Sequence, residues 1–359
     1  MASNNAPLPQ PDVPLAPMTT LGVGGAARWY VRASAVEEVE AAHRWAQDRH
    51  LSLFVLGGGS NIVVGDEGFD GLVLHVAIGG ATFGADADEA VVDAGAGEPW
   101  DPIVARAVAE GYGGVECLSG IPGYVGGTPI QNVGAYGQEV AQTIRSVTAV
   151  DLHSGDAIEI PASACGFSYR QSRFKQHDAG RFVVCRVSFR LHRGARPVAY
   201  PDVVAWMEQR RLTTPTVHDI RQAVLDIRRG KGMVLDARDR DTRSVGSFFM
   251  NPVVPAATAA ALGAPTFSMP DARVKIPAAW LIERAGFRRG FAAGAAGVSS
   301  KHPLAIVNRG GARAGDILDL ACRIKRAVLD RFGVALRPEP VFVGLDRDHR
   351  VRFLQTETD

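Results

Sequence analysis

Two glycine clusters constrain this chain most: "LGGGSN" from Leu56 to Asn61, and "SGIPGYVGGTPIQNVGAYG" from Ser119 to Gly137. Glycine admits positive φ and close backbone approach, so successive N–H groups can converge into a cup for phosphate oxygens. Two such cups suit a diphosphate, whereas for either cluster alone a tight turn between strands is an equal reading. Neither carries a common nucleotide fingerprint. There is no G-x-x-x-x-G-K-[ST], and "LGVGGA" near Gly22 has the wrong spacing and context for G-x-G-x-x-G. A P-loop and a Rossmann domain are therefore not expected.

With 359 residues the chain has length for two or three domains. Lys plus Arg is 39 against 38 Asp plus Glu, a balance that points away from nucleic acid and acidic membrane surfaces and towards a small-molecule partner. The four cysteines, Cys117, Cys165, Cys185 and Cys322, lack the paired spacing of a zinc site or a dithiol redox motif, so no metal is expected and a reducing compartment is. "MASNNAPLPQPDVPLAP" has no cationic start and no apolar run, and its five prolines predict a mobile arm over residues 1–17 rather than a signal peptide. No stretch reaches the length of a membrane span. These features predict a cytoplasmic protein, monomeric because no large apolar stripe is left over.

"WYVRA" reads as a strand, followed by a helix that Ser34 opens with Glu37 as its capping-box partner, with Val36, Val39 and Trp45 on one face. "LFVL" then runs into the first glycine cluster, completing a βαβ pattern. Further on come the strand "AVVDAGAG", a helix over about Asp101 to Glu110, and the strands "RSVTAVDL", "AIEI" and "RFVVCRVSFRL", with "HSGD" turning between the first two of that last group. "RGARPVAYPDV" marks a boundary near 195–205. Beyond it Thr216 and Asp219 cap a helix bearing Ile220, Val224 and Ile227, and "AGDILDLACRIKRAVLDRFG" is a final amphipathic helix stopped by Gly333. "GMVLDARDRDTRSV" reads as a charged, solvated loop.

The succession "TTLGVGGAA", "LGGGSNIVV", "SGIPGYVGGTPIQNVGAYG", "YRQSRFK", "GSFFMNP", "SSKHPLAIVN" and "RPEPVF" resembles the UDP-N-acetylenolpyruvoylglucosamine reductase family, the flavoenzymes called MurB, over residues 15 to 345. "YRQSRFK" and "AYPDV" are similar to the class with an extra tyrosine loop over the substrate. The resemblance implies an α+β fold. A vanillyl-alcohol-oxidase-type FAD-binding region over 18–200, with lobes about 18–80 and 81–200, would precede a mixed α/β substrate-binding domain over 201–350. It implies reduction of an enolpyruvyl ether on UDP-N-acetylglucosamine to a lactyl ether for peptidoglycan synthesis. NADPH would be the co-substrate, FAD the noncovalent cofactor, and flavin N5 the source of hydride.

On that resemblance Gly57, Gly58, Gly59, Ser60 and Asn61, with Pro122, Gly123, Gly126, Gly127, Gly134, Ala135, Tyr136 and Gly137, hold the FAD diphosphate. Ser247 matches the family's proton-donating serine. A serine hydroxyl is a poor acid in water, so that role needs a strongly basic carbon as acceptor and water kept away, here by Phe248 and Phe249. Arg170 matches the arginine that grips the substrate carboxylate, for which a guanidinium fork is suited. Glu339 joins it, and helps only while protonated or sharing a hydrogen bond, because an ionised carboxylate repels an enolate. Tyr169, Tyr200, Arg228, Lys231 and Asn251 fall at UDP-sugar positions, and His302 stands where some members carry glutamine. Taken singly, Ser247 also reads as a turn residue, Arg170 as a surface arginine and Glu339 as a strand end. A serine hydrolase is disfavoured because "VGSFF" is not the G-x-S-x-G elbow. A flavin oxidase using oxygen, or a nucleotide-sugar binder without turnover, are the competing readings.

Overall fold

The computed structural model describes residues 7–85, 88–269 and 273–356. The chain divides into two compact units, each built from separated segments. The first unit comprises residues 1–13, 27–58 and 70–230; the second comprises 14–26, 59–69 and 231–359.

In the first unit, a four-stranded sheet has the order Gln10–Pro14, Ala26–Ala33, Phe69–Val76, Ser52–Leu56. Its last two strands are parallel, with Leu56 opposite His75, so the strand ends where the first glycine cluster begins. Helix α1, Val36–Gln47, links the two edges of the βαβ pattern. Ser34 does introduce it, but its amide N and Oγ both donate to Glu38, at 2.6 and 2.9 Å, and not to Glu37 as expected. The helix starts one residue later than the capping-box spacing assumed, at Val36 after an extended Ala35, which puts Glu38 within reach. A second, antiparallel sheet runs Ala157–Pro161, Ile144–Asp151, Phe182–Arg193, Glu89–Gly95, Ala81–Ala85, with Tyr112–Gly113 beside Phe182–Arg193. Its apolar face and helix α2, Trp100–Ala109, bury Val92, Trp100, Val104, Val147, Val187 and Phe189 in one core. Helices α3, Pro201–Gln209, and α4, Val217–Gly230, complete the unit. Thr216 Oγ1 accepts from Asp219 N while Thr216 N donates to Asp219, the reciprocal cap anticipated.

Two expectations are corrected here. Residues 201–230 belong with the first unit and not with a C-terminal domain starting at 201, because Val203, Met207, Ile220, Ala223 and Val224 bury themselves around Cys117. The proposed mobile arm is, over its described part, an edge strand at Gln10–Pro14 followed by a 3-10 turn at Ala16–Met18. An edge strand tolerates prolines because its outer amides need no sheet partner. Residues 1–6 of that arm lie outside the described residues.

The second unit pairs Ile62–Val64 in parallel with Val341–Val343. It adds two small three-stranded sheets, Val253–Pro255/Arg273–Lys275/Phe267–Ser268 and Ala292–Ala293/Ala296–Val298/Ile306–Asn308. Helices α5, Ala256–Leu262, α6, Ala278–Arg284, and α7, Ala314–Phe332, pack around a core that includes Leu21, Phe248, Phe249, Leu281, Ile317 and Ile324. Asp66 accepts from the Ala314 and Gly315 amides, so the start of α7 is satisfied by a carboxylate from a distant segment. Gly333 ends α7 at φ 65°, as expected from sequence. It is not the final helix: α8, His349–Gln355, follows. Lys325, fully buried, donates to the carbonyls of Phe353, Leu354 and Thr356 at 2.8 Å each and so closes the C-terminal end of α8. Ammonium capping of last-turn carbonyls was not apparent from the pattern of α7, where Lys325 interrupts an apolar face.

Candidate active site

In the first unit the two glycine clusters meet. A Cβ on Gly58 would stand 2.7 Å from Gly123 Cα and 3.0 Å from Tyr124 N, so only glycine lets these backbones touch. Gly57 beside it faces open space, with nothing within 4 Å of the place a Cβ would take, and its φ is not positive. Segment 98–101 runs along the second cluster: Trp100 N donates to Gly123 O at 3.0 Å, Val125 N to Glu98 O at 2.8 Å, and Trp100 Nε1 to Leu118 O at 3.1 Å. Gly126 lies tight on Ala96, while Gly127 and Gly137 are exposed. Gly134–Ala135 and Gln138–Glu139 form a two-residue hairpin whose tip, Tyr136 at φ 50° and Gly137 at φ 89°, suits a type I′ turn.

Four of the expected substrate residues gather in the same unit. Tyr169 and Arg170 are the tip of another tight hairpin, closed by reciprocal Ser168 and Gln171 backbone bonds, and Arg170 adopts φ 56°. A non-glycine residue in that region is strained and persists only when its surroundings fix it. They do: fully buried Asn132 donates to Ser168 O at 3.0 Å, and fully buried Ser172 donates to Ile130 O at 2.7 Å. Both ties run from the hairpin to the second glycine cluster. Tyr136 and Tyr200 stack edge to face at 5.1 Å. Arg228, 6% exposed, reaches Gly120 O at 3.3 Å and hydrogen-bonds Tyr136; its burial pushes its pKa down from the ordinary value.

The second unit holds the other set. Gly246, at φ 75°, turns the chain into Ser247, and Phe248 and Phe249 are buried in the core with rings 5.1 Å apart. The phenylalanines thus anchor the serine's backbone. Phe248 N donates to Leu304 O, Phe248 O accepts from Glu339 N at 2.9 Å, and Met250 N donates to Arg337 O. Ser247 and Glu339 therefore lie on two directly bonded segments. Asn61 joins them, its O accepting from Val341 N and its Nδ2 donating to Glu339 O at 3.4 Å. Gly59, at φ 61°, is the last glycine of its cluster and packs on Met18 O, with Ser60 following. Asn251 uses its amide oxygen to accept from Ala278 N at 2.9 Å, opening α6. The charged stretch after Lys231 is solvated at Leu235, Arg238 and Arg240 but tied to its neighbours at Asp239 and Asp241. Asp239 accepts from Lys301 Nζ at 2.6 Å, raising the Lys301 pKa, and Asp241 accepts from Ser300 N and Oγ. These ties, with Ser299 Oγ accepting from the amides of Lys301 and His302, fix the turn that carries His302. Asp241 also packs 3.1 Å from the Cβ position of Gly232, next to Lys231.

Residues 238–343 match the family model described as the C-terminal domain of UDP-N-acetylenolpyruvoylglucosamine reductase, and residues 27–160 match that of an FAD binding domain. The chain is 45% identical over 349 residues to the UDP-N-acetylenolpyruvoylglucosamine reductase of Streptomyces coelicolor, covering 93% of this chain and 90% of that one. To the enzyme of the same name from Thermobifida fusca it is 46% identical over 350 residues, covering 93% and 98%. This chain belongs to the UDP-N-acetylenolpyruvoylglucosamine reductase family.

The crystal structure of the MurB reductase of Thermus caldophilus superposes with a TM-score of 0.65 at 27% identity, covering 93% of this chain and 98% of that one. Membership makes the chain an FAD-dependent oxidoreductase of α+β fold. The glycine clusters fit that cofactor: backbone meets backbone at Gly58 and Gly123, and the open face of Gly57 leaves room for a bulky anion. Among the described residues no helix is long and apolar enough to cross a membrane, and no cluster of three or more His, Cys, Asp or Glu is placed to hold a metal. Asn132, Ser172, Asp239 and Asp241, which tie down the turns carrying Arg170 and His302, were missed from sequence, although Asn132 and Ser172 stood inside the motifs already singled out.

Proposed function

We propose that this chain reduces UDP-N-acetyl-3-O-(1-carboxyvinyl)glucosamine to UDP-N-acetylmuramate with NADPH, as a cytoplasmic monomer serving peptidoglycan precursor synthesis. The reading rests on identity of 45–46% across 93% of the chain with enzymes named for this substrate. The observation that carries its chemistry is the bonding of the Ser247 segment to the Glu339 segment through Phe248 O and Glu339 N.

When bound, FAD supplies two-electron transfer from NADPH to the β-carbon of the enolpyruvyl group. The two glycine clusters hold its diphosphate noncovalently through backbone N–H groups. Ser247 gives its hydroxyl proton to the α-carbon, a step open to so weak an acid because the carbon acceptor is strongly basic. Arg170 takes the substrate carboxylate in its guanidinium fork, and Glu339 shares a hydrogen bond with it. Tyr169, Tyr200, Arg228, Lys231, Asn251 and His302 bind the UDP-sugar, where cations and phenols match phosphate oxygens and the amide gives direction.

The test is an anaerobic absorption experiment. NADPH should bleach the flavin band, and the enolpyruvyl substrate should restore it. Ser247→Ala should keep the first half-reaction within about 3-fold and slow the second by about 100-fold or more. Collapse of flavin reduction itself in this variant would remove the serine from its assigned role, and a band restored only by oxygen would replace the reductase with an oxidase.

A further inference from the structure

Gly120 sits at the entry to the second glycine cluster with φ 70°, and both sides of its peptide environment are held by charged side chains. Its N–H donates to Asp101 Oδ1 at 2.6 Å, and its carbonyl accepts from Arg228 Nη2 at 3.3 Å. Asp101, the second residue of α2, is in turn gripped bidentately: Arg221 Nη1 donates to Oδ1 at 2.7 Å and Nη2 to Oδ2 at 2.9 Å. Arg221 and Arg228 are two turns apart on α4, so they project from one face of it. The ion pair is half-sheltered, with side chains 16% and 35% exposed. Burial raises the Asp101 carboxyl, but the bonds from Arg221 and Gly120 outweigh it and hold the pKa below the ordinary value.

We infer that the Asp101–Arg221 pair is a clamp that sets the Gly120 peptide, and through it holds the loop leading to Gly123 and the guanidinium of Arg228 in one register. Asp101 and Arg221 are therefore positioning residues for cofactor and substrate affinity, an inference that rests on the functional reading above. The geometry explains why a bidentate pair is needed. Gly120 and Gly123 both have positive φ, so although Pro122 stiffens the middle of the segment its two glycine ends are free to swing, and Gly123 Cα is the atom against which Gly58 fits. One carboxylate oxygen is shared between the loop amide and Arg221, so orienting the carboxylate orients the loop. Neither residue lies in the motifs that carry the family resemblance.

The test compares Asp101→Asn, Arg221→Gln, Arg221→Lys and the double variant Asp101→Asn/Arg221→Gln with the unmodified protein. The readouts are FAD affinity of the apoprotein by fluorescence quenching, KM and kcat after reloading with saturating FAD, and melting temperature. We expect each single neutralising change to weaken FAD binding by about 10-fold or more and to raise KM for the UDP-sugar with kcat within about 3-fold. The double variant should be no worse than the poorer single one. Arg221→Lys keeps charge and helix propensity but cannot span both oxygens, so it should fold normally and still show the FAD defect. Unchanged FAD affinity and KM in the lysine variant, or fully additive losses in the double variant, would overturn the clamp. An unmodified protein that binds no FAD would instead sink the functional reading.

Discussion

The contact between Gly58 and Gly123 supports a quantitative prediction. Gly58 does not need positive φ, so Gly58→Ala introduces no backbone strain, only a methyl group. That methyl would lie 2.7 Å from Gly123 Cα and 3.0 Å from Gly123 C and Tyr124 N, whereas ordinary contact begins at 3.4 Å. The two loops must part by about 0.7 Å, and the atoms in the way are backbone, which cannot rotate aside as a flexible side chain would. Overpacking of this kind costs about 1–3 kcal/mol. In the apoprotein the loops can separate and lose part of that cost. With the cofactor bound they cannot, so most of it should appear as FAD affinity weakened between about 5-fold and about 150-fold. The assay is titration of apoprotein with FAD beside a thermal melt of the same preparation. Gly57→Ala is the control for stability, since its methyl enters open space and should leave the apoprotein melt unchanged. A Gly58→Ala protein with both melting temperature and FAD affinity of the parent would refute the idea that the loops need glycine in order to meet.

Two further perturbations address stability alone. Lys325→Met removes a buried ammonium and leaves the carbonyls of Phe353, Leu354 and Thr356 without their donor, so chemical denaturation should show a loss of about 2–4 kcal/mol with FAD affinity unchanged; an unaltered midpoint would show that α8 docks without the lysine. Asp151, held at a pKa of about 2 chiefly by the Arg181 side-chain bonds, favours folding fully above the ordinary carboxylate value of 3.8 and loses that contribution as pH falls towards 2. Asp151→Asn should therefore flatten the decline in melting temperature over that window, and an identical slope in the two proteins would contradict the assignment.

Local chemistry was legible in the sequence. The Thr216–Asp219 box and the Gly333 stop each depend on residues within a few positions of one another. The glycine clusters were readable as backbone-approach sites, though what approached Gly58 proved to be Gly123. What could not be read were partnerships across long separations. Asp101 and Arg221 stand 120 positions apart, and nothing in either local pattern names the other. The same limit hid the membership of 14–26 and 59–69 in the second unit, since a linear boundary near 200 cannot describe a unit assembled from three segments. Proline density misled over residues 10–14 because composition does not distinguish an unpaired arm from an edge strand. Ser247 was singled out by its motif, whereas the depth at which Phe248 and Phe249 sit in the core could be read only from burial.

The threading of the second unit also bears on how the protein is born. Asn61 and its partner Glu339 are 278 positions apart, and the pairing of Ile62–Val64 waits for Val341–Val343. At ribosomal rates of about 5–20 residues per second, a nascent chain holds its Gly59–Val64 segment without that partner for about 15–55 s. The loop that follows the first glycines thus acquires its final shape only at the close of translation. A chain truncated before residue 341 would therefore carry every glycine of both clusters and still lack the strand that sets Asn61.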